Sequence, residues 1–209
     1  MSTDLQQTRA GLNAAVRNIW QQYTHEIVSH EASVPSENHV IPVRVWQPKY
    51  PTTHPRDVSL AIHGGGWSMG DEYADSFMVR ALVQKLNMTV VTLDYRLSPE
   101  TTYPGPFQDV LTVFKWVLNR PGAIYPDGES QGARPDHDIF VCGFSAGANL
   151  AAALCLWARE NKLLSKIRAQ ILFSPAVCHY KCYSIAQERH DCELKSFYTA
   201  GSPLLDREV

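Results

Sequence analysis

Residues 141–150 read Val-Cys-Gly-Phe-Ser-Ala-Gly-Ala-Asn-Leu, an apolar run that enters a Gly-x-Ser-x-Gly pattern and leaves it as a helical sequence. The pattern predicts a sharp turn from a strand into a helix, with Ser145 at its apex. Gly143 and Gly147 would let the strand and the helix approach each other closely. The hydroxyl of Ser145 is therefore the candidate nucleophile, and it needs a base and an oxyanion site to react.

The composition is that of an ordinary globular protein, with 209 residues, of which 44% are hydrophobic and 19% charged. The net charge of −2 provides no basic surface for nucleic acid or for an anionic membrane. The longest apolar stretch, Ala146–Ala158, is shorter than the roughly 18 residues of a membrane span. The polar N-terminus resembles no signal sequence, and the five cysteines follow no disulfide spacing. We therefore expect a cytoplasmic protein with no transmembrane segment and no nucleic-acid partner.

The first 39 residues are predicted to form a cap-like N-terminal segment, separate from a main domain over residues 40–209. A helix over residues 4–30 is indicated by one apolar stripe, formed by Leu12, Val16, Ile19, Trp20, Tyr23 and Ile27. This helix either packs on the body of the protein or acts as a lid over a substrate pocket. Residues 31–39 are polar and are predicted to be a linker.

From residue 58 to residue 173, predicted strands alternate with predicted helices, and a further strand is predicted before them. We expect strands at 40–46, 58–62, 89–93, 138–142 and 169–173, and helices at 75–86, 106–119 and 146–160. Pro42 should confine the first strand to an edge of the sheet or to a strand end. The alternation predicts an α/β fold with a mostly parallel sheet and helices on both faces. In such sheets the functional site lies at the carboxyl ends of the strands.

Residues 63–67, His-Gly-Gly-Gly-Trp, directly follow one of these strands. The N–H groups of Gly64 and Gly65, with that of Ala146, are predicted to bind a developing oxyanion. His63 is interpreted as a structural residue at the start of this turn. Each motif alone is also compatible with a flexible turn or a capping serine. Because each motif follows a predicted strand and the glycine motif precedes the serine motif, the two together favour the catalytic interpretation.

Several stretches together resemble one known family. They are His63–Trp67, Asp94–Glu100 with Tyr103–Pro104, Gly143–Gly147 with Asn149–Ala151, and Ser202–Leu205. The chain resembles the alpha/beta-hydrolase superfamily, most closely its hormone-sensitive-lipase-like (alpha/beta hydrolase fold-3) branch of esterases and lipases. The resemblance implies a serine hydrolase that acts on a small-molecule ester without a cofactor. It also implies that the turn containing Asp94 and Arg96 braces the site, with its charges paired internally.

Phe144 departs from this branch, in which many members have an aspartate before the nucleophile. A phenylalanine there also suits the neighbouring formamidase-like and feruloyl-esterase-like branches. Three functions therefore remain open at this point. The chain is either an ester hydrolase, a formamidase-like or arylamide hydrolase that uses the same residues, or a non-catalytic protein that binds or responds to a small molecule.

The catalytic triad of this fold runs in the order serine, acid, histidine. After Ser145 the only histidines are His179 and His190, and the acids before His190 are Glu160 and Glu188. Glu160 should lie over ~20 Å from Ser145, at the far end of the following helix. The residues present therefore supply no complete triad.

The family resemblance places the catalytic Asp and His on segments that follow residues 202–205. We therefore expect this sequence to be C-terminally truncated relative to the family and to lack the last strands of the sheet. Without its base, Ser145 should be nearly inert. The strand at 169–173 should be an exposed sheet edge, through which the protein could self-associate.

Cysteines and histidines cluster between residues 178 and 192, which raises the question of a zinc site. The members are Cys178, His179, Cys182, His190 and Cys192. Their spacing matches no standard zinc pattern, in which two close cysteines precede two close histidines. We therefore predict neither a metal site nor a cofactor.

Overall fold

The computed structural model describes residues 2–22, 25–50, 56–119, 124 and 139–177. In chain order the elements are α1 (Ser2–Gln21), β1 (Ile27–Pro35), β2 (Val40–Pro48), β3 (Val58–Ile62), α2 (Ser76–Arg80) with a π-helical turn (Ala81–Lys85), β4 (Thr89–Leu93), α3 (Gly105–Asn119), β5 (Ile139–Phe144), α4 (Ala146–Glu160), a 3-10 turn (Leu164–Lys166) and β6 (Ile167–Phe173). The strands and helices therefore alternate from β3 onward as the sequence predicted.

The described strands form one six-stranded sheet in the order β1-β2-β4-β3-β5-β6. The β1/β2 and β2/β4 pairs are antiparallel, and the other pairs are parallel. Every residue of β3 and β4 is buried, as expected for central strands that are covered on both faces. The predicted mostly parallel α/β sheet is confirmed. Ile62 at the end of β3 pairs with Gly143 near the end of β5, so the turns after these strands are neighbours.

Two hydrophobic clusters lie on opposite faces of the sheet. Alternate residues of β3 enter different clusters, since Leu60 and Ile62 belong to the first and Ala61 to the second. The first cluster includes apolar side chains of α3 and α4, namely Val110, Val113, Phe114, Val117, Leu150, Ala151 and Leu154. The second includes Trp20 of α1 and Met78 and Val79 of α2. Helices on both faces are thus confirmed.

The N-terminal predictions are partly wrong. The helix ends at Gln21, and residues 27–35 form β1 where the sequence indicated the end of a helix and a polar linker. β1 pairs with β2 along its whole length, from Ile27 opposite Pro48 to Pro35 opposite Val40. This long-range pairing satisfies the backbone polar groups of a segment that has few apolar residues.

Pro42 lies in a strand that is paired on both sides, so its predicted place on an edge strand is wrong. Its carbonyl accepts the N–H of Asp94 at 2.9 Å and therefore faces β4. The amide nitrogen of the same residue faces the same side in an antiparallel ladder. β4 ends at Leu93, so the missing N–H falls at the end of that ladder. Pro42 therefore stands at the end of the β2/β4 ladder, although it is the third residue of β2 itself.

The helix α1 is held to the body through Trp20 near its C-terminus. The indole stacks on Trp46 with ring centroids 4.0 Å apart, and its N–H donates to the carbonyl of Tyr73 at 2.9 Å. Leu12 and Ile19, which the predicted stripe placed on the same face, are 45% and 43% exposed. The predicted inner face of the helix was therefore wrong in part.

Two arginines hold the rest of α1 against the loops that follow β3 and β4. Arg9 donates to the carbonyls of Ser68 at 2.6 Å and Ser98 at 2.5 Å, and it pairs with Glu100 at 2.8 Å. Arg17 pairs with Asp71 at 2.9 Å. The helix thus lies at the carboxyl edge of the sheet, where a lid would lie. The lid function and the separation of residues 1–39 from 40–209 stay predictions.

The outer strand β6 pairs with β5, and the described residues place no strand on its other side. Self-association through this edge stays a prediction. Among the helices that the structure describes, none is long and apolar enough to cross a membrane.

Replacing Trp20 by alanine should detach α1, because this 6%-exposed side chain supplies both the Trp46 stack and the hydrogen bond to Tyr73. We expect the free energy of unfolding to fall by about 3 kcal/mol and proteases to cleave α1 faster. Urea denaturation and limited proteolysis would measure both effects. The neighbouring Ile19→Ala, at a 43%-exposed position, is the control and should change stability by less than about 0.5 kcal/mol. Equal effects of both variants would contradict this docking.

Candidate active site

Ser145 occupies the turn between β5 and α4 with a strained backbone, at φ 52° and ψ −115°. Positive φ is uncommon for residues other than glycine and stores conformational strain. The N–H of Ser145 donates to the carbonyl of Phe173 at 2.8 Å, and its carbonyl accepts the N–H of Asn149 at 3.1 Å. The turn is therefore held by β6 on one side and by the first turn of α4 on the other.

The glycines that flank Ser145 are required by close backbone contacts. A Cβ on Gly143 would lie 2.4 Å from the carbonyl carbon and oxygen of Gly147. A Cβ on Gly147 would lie 2.1 Å from the carbonyl oxygen of Ile62 and 2.4 Å from that of His63. The helix α4 thus contacts the ends of both β3 and β5. This confirms the close approach that the sequence pattern predicted.

The glycine turn after β3 lies directly against the serine turn. A Cβ on Gly64 would lie 2.9 Å from the carbonyl oxygen of Phe144, the residue before Ser145. Gly65 and Gly66 adopt φ values of 116° and 59°. A Cβ on Gly65 would also lie 2.2 Å from the carbonyl oxygen of Met69. The structure therefore brings together the two motifs that are 80 positions apart in the chain.

The three predicted oxyanion donors differ in their hydrogen bonding. The N–H of Gly64 donates to a carboxylate oxygen of Asp75 at 2.8 Å and is engaged. The N–H groups of Gly65 and Ala146 donate to no acceptor within the described part of the chain. Ala146 is the first residue of α4, where N–H groups have no acceptor within the helix. The oxyanion role of all three stays a prediction.

His63 is buried beneath the glycine turn. Its ring stacks on Tyr95 with centroids 4.1 Å apart, and Nδ1 lies 2.7 Å from the carbonyl oxygen of Gly64. Burial lowers the pKa of His63 to about 4, so the ring is neutral near pH 7. Nε2 is buried and has no partner among the described residues. The structural role that the sequence analysis gave to His63 stays a prediction.

In the turn after β4, the charges of Arg96 and Glu100 are paired with helices, so the expected pairing within the turn is wrong for these two residues. Arg96 pairs with the buried Asp109 of α3 at 2.8 Å, and Asp109 also contacts His39 at 2.9 Å. Glu100 pairs with Arg9 of α1. The turn packs between α3 and α1, so its side chains reach those helices and not one another. It still braces the carboxyl edge of the sheet.

Asp94, in the same turn, has a carboxyl group with no hydrogen bond or ion pair among the described residues. Burial, together with the negative charges of Glu72 and Asp71, raises the pKa of Asp94 to about 7. The brace therefore contains one carboxyl group that is partly protonated near neutral pH.

The sequence reading missed two kinds of residue near Ser145. Phe77 and Phe173 form an aromatic group with Phe144, with ring centroids 5.7 Å (Phe77 to Phe144) and 6.5 Å (Phe77 to Phe173) apart. For Asp75, which accepts the N–H of Gly64, the sequence pattern indicates only the start of a helix. No local pattern marks these residues, because they meet the serine turn only in the folded chain.

Several residues that the sequence analysis considered and rejected as members of a triad or a zinc site lie outside the described residues. These are His179, His190 and Glu188, with the cysteine cluster between residues 178 and 192. Within the ranges that the structure describes, no group of histidine, cysteine and acidic side chains could hold a metal ion.

Comparison with known proteins identifies the family. A family model described as alpha/beta hydrolase fold matches residues 59–205. The chain belongs to this family, in its hormone-sensitive-lipase-like branch, whose members here are esterases. The arylacetamide deacetylase of Bos taurus is 36% identical over 143 residues, which cover 67% of this chain and 34% of that protein. The arylesterase of Saccharolobus solfataricus is 30% identical over 149 residues, which cover 71% of this chain and 45% of that protein.

Solved structures agree with this assignment. A bacterial heroin esterase superposes with a TM-score of 0.73 at 28% identity, over 98% of this chain and 59% of that one. A thermostable carboxylesterase cloned from a metagenomic library gives a TM-score of 0.73 at 27% identity, over 98% and 64%. The chain thus spans less than half the length of the two curated relatives above.

Replacing Gly147 by alanine should disrupt the contact between α4 and the end of β3. The added Cβ would lie 2.1 Å from a backbone oxygen, which cannot rotate away, so we expect a loss of about 3 kcal/mol. Gly11→Ala is the matched control, because a Cβ there meets nothing within 4 Å and should stabilise α1 by about 0.5–1 kcal/mol. Thermal unfolding of both variants would measure this. A tolerated alanine at 147 would contradict the described helix position.

Asp94→Asn should reduce the pH dependence of stability. The pKa of Asp94 rises on folding from 3.8 to about 7, so the folded protein binds more protons than the unfolded chain between these values. Protonated Asp94 is accommodated in the folded protein and ionised Asp94 is not, so stability is lost as the pH rises through this window. At pH 8 the variant should be more stable than the wild type by up to about 4 kcal/mol, and well below pH 3.8 the difference should vanish. Denaturation at several pH values would test this, with the exposed Asp4→Asn as control. A constant difference would contradict it.

Proposed function

We propose that this protein is a serine hydrolase of carboxylic esters in which Ser145 is the nucleophile. The observation that carries the proposal is the backbone of Ser145, at φ 52° and ψ −115° on a strand-to-helix turn whose flanking glycines admit no side chain. Such strain is retained where the surrounding contacts enforce it, and it presents the hydroxyl group above the turn. The membership in a family of esterases supports the same function.

The proposed reaction begins when a base removes the proton of the Ser145 hydroxyl as its oxygen attacks the ester carbonyl carbon. The negative charge on the carbonyl oxygen would be stabilised by backbone N–H groups of the glycine turn and of Ala146. One such donor contributes about 3 kcal/mol to the transition state. Ala146 also stands at the N-terminus of the 15-residue α4, where the helix dipole favours negative charge. The alcohol leaves, and water then hydrolyses the acyl-enzyme.

The base and its acid partner are not among the described residues around Ser145. We propose that an aspartate and a histidine outside this sequence complete the triad. A 209-residue polypeptide should then hydrolyse esters orders of magnitude more slowly than a complete triad enzyme, through its oxyanion donors and substrate binding alone.

The substrate is proposed to be a small ester with an apolar or aromatic group. Phe144 precedes Ser145, and the carbonyl of Phe173 accepts the Ser145 N–H, so the aromatic group that they form with Phe77 adjoins the nucleophile. Half-exposed rings at such a position would bind an apolar substituent. The names of the two curated relatives, an arylacetamide deacetylase and an arylesterase, support an aryl group.

An arylamide hydrolase is the second candidate, because the bovine relative is named as a deacetylase of arylacetamides. The same nucleophile and donors would serve both reactions, since both pass through a tetrahedral oxyanion. Parallel assays with phenyl acetate and acetanilide would separate these candidates by their ratio of kcat/KM.

Labelling by an alkyl fluorophosphonate tests the nucleophile. We expect slow labelling of the 209-residue chain at Ser145 and at least a hundredfold less in Ser145→Ala. Ser174→Ala is the matched control, because Ser174 is also a serine with positive φ, at 47°. Mass spectrometry of the labelled peptide would locate the adduct. If the protein binds phenyl acetate but Ser145 is not labelled, the non-catalytic binding function is favoured.

A further inference from the structure

The peptide group between His63 and Gly64 is held from both sides by side chains distant in sequence. The Tyr95 hydroxyl donates to the His63 carbonyl at 2.9 Å, and the Gly64 N–H donates to Asp75 at 2.8 Å. In a trans peptide the carbonyl and the N–H point in opposite directions. Tyr95 and Asp75 therefore hold this peptide at its two opposite edges.

The next peptide, between Gly64 and Gly65, has one engaged end and one free end. Nδ1 of the neutral His63 ring lies 2.7 Å from the Gly64 carbonyl oxygen, so it is positioned to donate to it. The Gly65 N–H must then point away from the imidazole. The Gly65 carbonyl, in turn, accepts the N–H groups of Ser68 at 3.1 Å and Met69 at 2.9 Å. Of these polar groups, the Gly65 N–H alone has no acceptor among the described residues.

The two side chains that hold the first peptide are themselves well fixed. Tyr95 is 1% exposed and stacks on His63. Asp75 adopts φ 53° and ψ 38°, which aspartate tolerates better than most residues, and its carbonyl accepts the N–H groups of Met78 and Val79 at the start of α2. The Asp75 carboxylate is thus fixed by the start of α2, and the Tyr95 hydroxyl is fixed by its buried ring.

We propose that Asp75 and Tyr95 are positioning residues that orient the glycine turn, so that Gly65 supplies the oxyanion donor of this turn together with Ala146. Gly64 does not serve as a donor, because its N–H holds the turn in place through Asp75. This inference rests on the proposed function of Ser145. It adds an explanation of what orients the donors. Glycines cannot fix the direction of their own N–H groups, because they adopt many backbone conformations at little cost.

Pre-orientation matters because an oxyanion donor acts in the transition state only when it is already aimed at the developing charge. Without Asp75, the Gly64 N–H would be left unpaired, and the glycine turn could rotate to expose it to water. The Gly65 N–H would rotate with it. The loss would then appear in the chemical step more than in substrate binding.

Two variants of Asp75 distinguish the effect of its hydrogen-bond acceptor from the effects of its charge and of its strained backbone. Asp75→Asn keeps an oxygen that accepts the Gly64 N–H and tolerates positive φ. Asp75→Gly keeps the backbone conformation and removes the acceptor. We expect the rate of fluorophosphonate labelling of Ser145 to fall about a hundredfold in the glycine variant and by no more than about threefold in the asparagine variant. Asn87→Gly, at another positive φ of 53°, controls for the glycine itself.

A second readout does not depend on reactivity at Ser145. Amide hydrogen exchange, followed by NMR on the 15N-labelled chain, should show faster exchange at Gly64 in Asp75→Gly, by at least tenfold, and little change in Asp75→Asn. Tyr95→Phe should alter the Gly64 and Gly65 amide shifts while the fold is retained.

The outcomes distinguish this inference from the proposed function. Suppose that Ser145 is never labelled but that amide exchange at Gly64 depends on Asp75 as stated. The proposal that Ser145 is the nucleophile is then wrong, while the positioning of the glycine turn by Asp75 is supported. If labelling is unaffected in Asp75→Gly, the positioning role is overturned and the nucleophile stands. Equal losses in the asparagine and glycine variants would also overturn it, because they would make charge and not hydrogen-bond geometry the cause. Unchanged amide exchange at Gly64 in Asp75→Gly would show that the hydrogen bond to Asp75 does not hold the glycine turn, and it would overturn the inference.

Discussion

The contact of α4 with the end of β3 is the constraint on which the rest of the site depends. With only hydrogen at its Cα, Gly147 lets the helix backbone reach the carbonyls of Ile62 and His63. β3 carries the glycine turn and β5 carries Ser145, and these strands are neighbours in the sheet. The contact therefore sets the distance between the turns. A packed interior does not absorb an extra methyl group at such a point without moving one of them.

Around this contact, helices hold each loop at the carboxyl edge of the sheet through charged side chains. Asp109 of α3 is fully buried and binds Arg96 and His39, while Arg9 of α1 joins the loops after β3 and β4. Buried charges are tolerated when they are paired and hydrogen-bonded, and breaking such a pair is costly. The loops are thus held in place by ion pairs with α1 and α3, in addition to the hydrophobic clusters.

The sequence predicted best the elements whose burial is set locally. β3, β4 and α4 were found at their predicted bounds of 58–62, 89–93 and 146–160, because central strands and a core helix carry their own apolar pattern. β1 was missed because its order comes from pairing with β2, and only Ile27 and Val34 are buried in it. Likewise, the bond of Arg9 to Glu100 spans 91 positions and leaves no local pattern.

The candidate site shows the same division more sharply. The sequence could list the N–H groups of the glycine turn, but it could not give the direction in which each peptide points. That direction depends on Tyr95, Asp75 and the His63 ring, which reach the turn only in the folded protein. Orientation of backbone donors and proton transfer from Ser145 are therefore physically separable parts of the proposed chemistry. The donors are positioned by described residues alone, and they would stabilise an oxyanion whichever base removes the proton.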